Sequence, residues 1–476
     1  MSATALSDAP STAAPSHARG TWSERHYWPA VAVIGVAALA VRVGYVLGFT
    51  RYENNNFYDA FIYEMQGLEL ATGHFFQVPF SHGPTASHPP LTAFSIAPSI
   101  FLFGFHPAAT PARMTMALLG TATVVFVAIL GRSVAGARVG LVAGVLAVGY
   151  PEMWIPNGIV MSETPSMLVM VLILLAVYRL LRRPNFASAA LVGLACGAEV
   201  LIRAELALFV PTLLVPAALL ASGPSLRRRF ALAGVGTLVA VLVVMPWVGR
   251  NLASFQDTTF VSTGSGLVLL GANCPSSYYG PGIGEWAISC VALPNVGDES
   301  VVSARDERIA KSYIEHHWSR VPVVMAARVG RLWDVYQPVT SAEDSNEARP
   351  VNASLAGMAV YFLLLPAGVV GIVSLRRRRL TQWPLLVPAG VLTVVAALAY
   401  GLVRFRAPFE VCLVVLAAVG IDALVRAVGR RRERHARPKD RAHGVSALMS
   451  TARTSLASTP SANPKLARIV RADAVG

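Results

Sequence analysis

About ten long apolar stretches run through this chain, beginning near Tyr27, Ala112, Val139, Pro165, Phe186, Leu206, Phe230, Leu355, Trp383 and Phe409. A hydrocarbon slab about 30 Å thick takes roughly 20 apolar residues as helix. The pattern therefore predicts an all-α polytopic membrane protein of about ten transmembrane helices. Composition agrees: 54% of 476 residues are hydrophobic, 14% are charged and mean hydropathy is +0.54, far from an ordinary soluble domain.

The formal net charge of +14 invites a nucleic-acid reading. The basic residues are not spread over a face, however. They cluster at Arg132 and Arg138, at Arg179, Arg182 and Arg183, at Arg227 to Arg229, at Arg376 to Arg379, and after Arg426. Short arginine-rich loops stay on the cytoplasmic side during insertion. Ten crossings with both termini inside satisfy every cluster, so topology explains the basic pI and no nucleic-acid partner is expected. The intervening connections, 49–111, 151–164, 202–205, 249–354 and 401–408, then face the extracytoplasmic side of a plasma membrane.

This divides the chain into a disordered cytoplasmic segment over 1–26, a transmembrane module over 27–248, an extracytoplasmic region over 249–354, closing helices over 355–427, and a basic cytoplasmic tail over 428–476. The low-complexity termini are too polar to build a core of their own. No cleavable signal is evident, because the first apolar run is long and no small-residue cleavage site follows it. Within the first outer loop, the apolar segment Leu91 to Phe105 is too short for a span, and counting it as one would invert every later arginine cluster. It reads as a helix at the interface. The second large loop holds glycine and aromatic turns around Tyr278, Tyr279 and Trp286, then an amphipathic helix from about Ser303 to Trp318. Cys274 and Cys290 share that loop in an oxidising compartment, which favours a disulfide over two free thiols. Cys196 and Cys412 fall in apolar helices.

Two acids stand out. Asp59 lies among aromatic and aliphatic neighbours just beyond the first span. Partial desolvation would raise its basicity and suit it to general-base work; equally, an Asp there can cap the helix that follows. Glu163, in Met161-Ser162-Glu163-Thr164-Pro165, sits at the mouth of the fourth span. It reads either as a functional ionisable group at the membrane or as an acid favouring a helix dipole. Glu152 is a weaker candidate on the same side. Arginines on the outer side are not explained by the inside rule: Arg42, Arg203, Arg250, and the pair in Arg404-Phe405-Arg406. Guanidinium groups grip phosphate bidentately, although snorkelling or pairing, such as Arg203 with Glu205, is the plainer reading.

An outer-loop Asp59 followed by aromatics and Leu68-Glu69-Leu70-Ala71-Thr72-Gly73, then Pro89-Pro90-Leu91 before an interfacial helix, then Ser162-Glu163 at the fourth span, resembles one superfamily. It is similar to the GT-C glycosyltransferases that use polyprenyl-phosphate sugars, the protein O-mannosyltransferase and aminoarabinose transferase group. The likeness covers roughly the first 260 residues, and Tyr400-Gly401 to Pro408 is similar to a return loop of bacterial members.

The resemblance implies transfer of a sugar from a polyprenyl-phosphate carrier to an extracytoplasmic glycan, lipid or protein. Asp59 would act as general base and Glu163 as its helper. Arg404 and Arg406 would hold the donor phosphate, with Arg42 and Arg203 behind them. Tyr63, His88, Tyr278, Tyr279 and Trp286 would contact acceptor or substrate. Unlike many protein mannosyltransferases, the chain has no adjacent acid pair here: Asp59 is followed by Ala60, and the nearest upstream acid is Glu53. No cofactor is required on this reading. A divalent metal, with His88 or Glu69 contributing, is left open. The rival readings are a transporter or flippase for lipid-linked substrates, and a non-catalytic envelope assembly protein.

Overall fold

The computed structural model describes residues 22–50, 58–78, 83–105, 110–293, 296–343 and 349–436. Glu53, most of the N-terminal segment and nearly all of the basic tail lie outside them. The regular secondary structure of the described residues is helical, and their only β pairing is an isolated bridge between Gln77 and Pro84.

The helices that carry the architecture are α1 (Tyr27–Tyr45), α2 (Tyr58–Ala71), α3 (Leu91–Phe103), α4 (Thr110–Ala135), α5 (Ala137–Gly149), α6 (Glu163–Arg182), α7 (Phe186–Val200) and α8 (Ala204–Leu219). They continue with α9 (Leu226–Ser254), α10 (Ser265–Ala272), α11 (Glu299–His316), α12 (Val321–Leu332), α13 (Val351–Arg377), α14 (Trp383–Leu398) and α15 (Ala407–Ala436). From Ala423 onward α15 belongs to a separate compact unit.

Every predicted span coincides with a helix, but the helices are of two kinds. Six stretches, containing α1, α4, α6, α9, α13 and α15, are long and apolar enough to cross a membrane. α5, α7, α8 and α14 are shorter apolar helices, as is α3. A 13-residue helix such as α5 reaches only about 20 Å at 1.5 Å per residue. Ten full-length crossings are therefore more than helix length alone supports. The chain is a multi-pass membrane protein built on these long apolar helices.

Inside a membrane, helices gain little from hiding apolar surface and associate instead through close packing of small residues. Gly193 on α7 lies directly against the Gly236 carbonyl of α9, and a Cβ there would collide with it. Gly420 on α15 meets the Ala367 carbonyl of α13 in the same way. These are among the closest helix contacts in the core.

The two large loops interlock above the helices. Asp298 caps α11 by accepting from the Ser300 and Val301 amides at 3.0 and 3.1 Å, the expected satisfaction of a helix N-terminus. The next residue, Glu299, accepts from the Ala86 amide at 2.9 Å and from Thr263 Oγ1 at 2.8 Å. Arg250 donates to the Phe76 and Thr85 carbonyls at 2.8 and 3.0 Å. Ser262 Oγ donates to the Ser87 carbonyl at 2.8 Å. The stretch that carries His88 is thus held from the other loop, and Leu91 N is tied to the Leu201 carbonyl at 2.9 Å.

Candidate active site

Four connections distant in sequence meet at one point. α2 begins at Tyr58, so Asp59 stands in its first turn, where the helix dipole favours an anion. Glu163 is the first residue of α6, Arg203 immediately precedes α8, and Arg404 lies in the turn Val403–Arg406 between α14 and α15. Arg404 Nη2 donates to Asp59 Oδ2 at 3.2 Å, while its Nη1 is 3.7 Å from Glu163 Oε1. Arg203 Nη1 approaches the same Glu163 oxygen at 3.7 Å, and its Nε donates to Glu205 Oε1 at 2.8 Å. His88 Nε2 is 3.6 Å from Asp59 Oδ1. The result is a chain of alternating charge, Asp59–Arg404–Glu163–Arg203–Glu205, with His88 at its open end.

Rings enclose it. The Phe405 ring centre lies 4.9 Å from the Arg203 guanidinium and 5.4 Å from that of Arg404. Tyr400 meets Phe405 edge-on at 4.8 Å and hydrogen-bonds Arg404. Tyr63 packs on His88 at 4.6 Å and hydrogen-bonds Ser162. Burial, followed by the charges of Asp59 and Glu163, pushes the Tyr63 phenol well above its ordinary range. Burial likewise pushes Tyr400 up to about 12. In both bonds the phenol oxygen accepts, from Arg404 at Tyr400 and from Ser162 at Tyr63.

The turn bearing Arg404 is anchored by a close approach. Gly401 N donates to the Gly284 carbonyl at 2.9 Å, and a Cβ on Gly401 would collide with the Arg328 backbone. Arg328 itself donates to the Ala397 carbonyl at 3.1 Å, a favourable place for a cation at the end of α14.

Accessibility separates the acids. Glu163 is 3% exposed, whereas the Asp59 side chain is 32% exposed. Burial pushes the Asp59 carboxyl up, but the His88 hydrogen bond and the Arg404 charge more than offset this and hold it well below the usual carboxylate range. Asp59 is the more accessible of the two acids.

Other expected site residues stand elsewhere. Arg406 shares the turn with Arg404 but is fully buried on another side. It pairs with Glu410 and with Asp334 at 3.0 Å, and lies 3.6 Å over the Tyr361 ring. The structure thus turns Arg406 away from the Arg404 cluster and onto buried carboxylates. Arg42 is also fully buried, donating to the Ala38 and Met153 carbonyls at 3.2 and 2.8 Å, and it has no contact with the cluster. Tyr278 is 1% exposed and donates to Asn273 Oδ1 at 2.9 Å, so it offers no face to a sugar. Trp286 donates to the Leu267 carbonyl at 3.1 Å and covers Gly271. Tyr279 is exposed, with Arg320 5.1 Å over its ring. Cys274 and Cys290 are joined in a disulfide. Glu152 is paired with Arg349 at 2.6 Å, and Glu69 with His74 at 3.4 Å. Among the described residues, no group of three His, Cys, Asp or Glu side chains is placed to hold a metal ion.

Phe405, Tyr400 and Ser162 complete the cluster; each stands within a motif quoted above, but the sequence alone assigns none of them a role.

A helical bundle whose connections gather carboxylates and guanidiniums at one end matches the fold of the multi-spanning glycosyltransferases. Residues 87–249 match the family model described as dolichyl-phosphate-mannose-protein mannosyltransferase, roughly a third of the chain. That segment contains His88, Glu163 and Arg203 and leaves out Asp59 and Arg404. Among solved structures, the chain is similar to the Archaeoglobus fulgidus oligosaccharyltransferase AglB, in complex with an inhibitory peptide and a dolichol-phosphate. The TM-score is 0.52 and the identity 14%, covering 88% of this chain and 53% of that one. The apo form of that oligosaccharyltransferase gives 0.52 and 14%, covering 87% and 52%. ArnT from Cupriavidus metallidurans bound to undecaprenyl phosphate is more distant in shape, at 0.39 and 18%, covering 84% and 78%. The chain spans about half the length of the oligosaccharyltransferase it matches. No curated protein sequence matches it. The comparisons agree with the GT-C resemblance read from the residues, and the fold is GT-C-like.

Proposed function

We propose that the protein is a membrane glycosyltransferase that moves a sugar from a polyprenyl-phosphate carrier to a hydroxyl of an extracytoplasmic glycan, lipid or protein. One observation carries this reading: Arg404 lies within ion-pair distance of both Asp59 and Glu163, at 3.2 and 3.7 Å. A cation able to fork onto phosphate thus stands beside a reachable carboxylate.

Asp59 takes the proton of the acceptor hydroxyl as its oxygen bonds to the anomeric carbon. The bond from that carbon to the phosphate oxygen breaks, leaving the lipid monophosphate. Arg404, backed by Arg203, stabilises the charge that grows on the departing phosphate. Glu163 fixes both guanidiniums, and His88 orients the Asp59 carboxylate. The arginine clusters of the opposite loops support an extracytoplasmic site with both termini inside.

The test is incubation of purified protein in detergent, with a cell-envelope extract as the source of acceptor, with radiolabelled polyprenyl-phosphate mannose, arabinose, glucose and galactose. Loss of label from one carrier identifies the donor, and Asp59→Asn should abolish that loss while the protein stays folded. Four untouched carriers would sink the proposal and favour a flippase or an assembly role.

A further inference from the structure

Resting on that reading, we infer that Arg404 is an exchange point: the carrier phosphate takes the guanidinium away from Asp59, so that donor binding itself releases the base.

The argument begins with the donors. A guanidinium presents its N–H groups in a rigid planar fork. Arg404 addresses Asp59 through Nη2 at 3.2 Å and Glu163 through Nη1 at 3.7 Å, with Tyr400 also bonded to it. A phosphate gripped bidentately needs two neighbouring N–H groups of that fork, and the terminal nitrogens are turned toward carboxylates. Phosphate and carboxylate therefore compete for the same atoms.

Which carboxylate gives way follows from what each retains. Glu163 is 3% exposed, so leaving it bare would cost the penalty of an uncompensated buried charge, but Arg203 still faces it at 3.7 Å. Asp59 is 32% exposed and keeps His88 at 3.6 Å. Water and imidazole can therefore take over from Arg404 on the Asp59 side. Neither acid is stranded, and Asp59, the more exposed, moves first.

The chemistry benefits. A neighbouring cation favours the ionised carboxylate and so weakens it as a base. With Arg404 drawn onto phosphate, whose own charge offsets the guanidinium, Asp59 binds a proton more readily. The site thus acquires its base only when a donor is in place.

The experiment measures binding of a polyprenyl monophosphate in detergent micelles to the full chain and to Asp59→Asn. Asparagine cannot form the ion pair, so loss of the competitor should tighten binding, by roughly five- to tenfold for a part-buried charge pair. Asp59→Ser, with the same expected direction, serves if the Asn variant melts early. Unchanged or weaker binding by a folded Asp59 variant, with the wild type binding normally, overturns the exchange alone. Absence of binding by both proteins overturns the exchange together with the transferase reading.

Discussion

Arg404 donates to Asp59 across 345 positions of sequence, at 3.2 Å. The contact joins the loop after the first long helix to the turn before the last one, so two ends of the chain complete one site. On the proposed mechanism the base and the phosphate-gripping cation touch each other, and the two should fail together.

Arg404→Ala should lower turnover by about 10²- to 10³-fold, the usual loss when a donor to a developing oxyanion is removed. Arg404→Lys should recover little of it, because an ammonium cannot fork onto phosphate. Both variants should melt near the wild type, since Glu163 retains Arg203. Transfer rates beside thermal unfolding in detergent check this; an active Arg404→Ala protein would remove the cation from the mechanism.

His88→Gln should move the acid limb of the pH–rate profile upward. Burial raises the Asp59 carboxyl, and the foremost lowering influence is the His88 hydrogen bond, followed by the Arg404 charge. With His88 gone, part of the lowering is lost and the carboxyl rises. At a given acidic pH more of it is then protonated and unable to accept a proton. Profiles of kcat/KM for the two proteins decide the matter, and an unshifted limb would exclude His88 as the partner of Asp59.

Arg406→Ala should behave unlike its neighbour. Its removal leaves Asp334 and Glu410, 4% and 2% exposed, without their cation. Breaking a buried pair from one side costs about 3–5 kcal/mol. The expected result is a lower melting temperature and poor yield, with any surviving protein transferring sugar more slowly because the turn that carries Arg404 has lost its buried anchor. Thermal unfolding in detergent checks this, and a variant as stable as the wild type would show that the buried pair does not hold the turn.

How much of this was legible in the chain differs by residue. Helix positions follow from apolar length, Asp59 stands out by its aromatic and aliphatic neighbours, Glu163 by its place at the mouth of a span, and Arg203 and Arg404 as outer arginines that the inside rule does not explain. What could not be read was direction. Arg404 and Arg406 are two residues apart in a short turn, and only the fold decides that one reaches Asp59 and the other Asp334. Tyr278 and Tyr279 are adjacent, yet one is 1% and the other 48% exposed. Helix ends were not legible either, because a sequence of apolar residues flanked by more apolar residues does not show where a helix such as the 13-residue α5 stops.

Reduction or Cys274→Ser should destabilise the second large loop. Closing a loop of around 15 residues is worth about 3 kcal/mol in the chain-entropy account, and the two cysteines are 16 positions apart. Unfolding curves with and without reductant measure this. Because Glu299 of the same region holds Ala86 beside the stretch bearing His88, turnover should fall with the melting temperature.

The turn Val403–Arg406 also acts as a short lever. One arm, Arg406, is bolted between α12 and α15 through Asp334 and Glu410, and Gly401 pins its base against Arg328. The other arm carries the guanidinium that meets Asp59. The point from which that guanidinium reaches is accordingly set from behind, by buried groups on the far side of the turn. A small shift in the backbone around Asp334 would be delivered to the reaction centre as a misaimed cation.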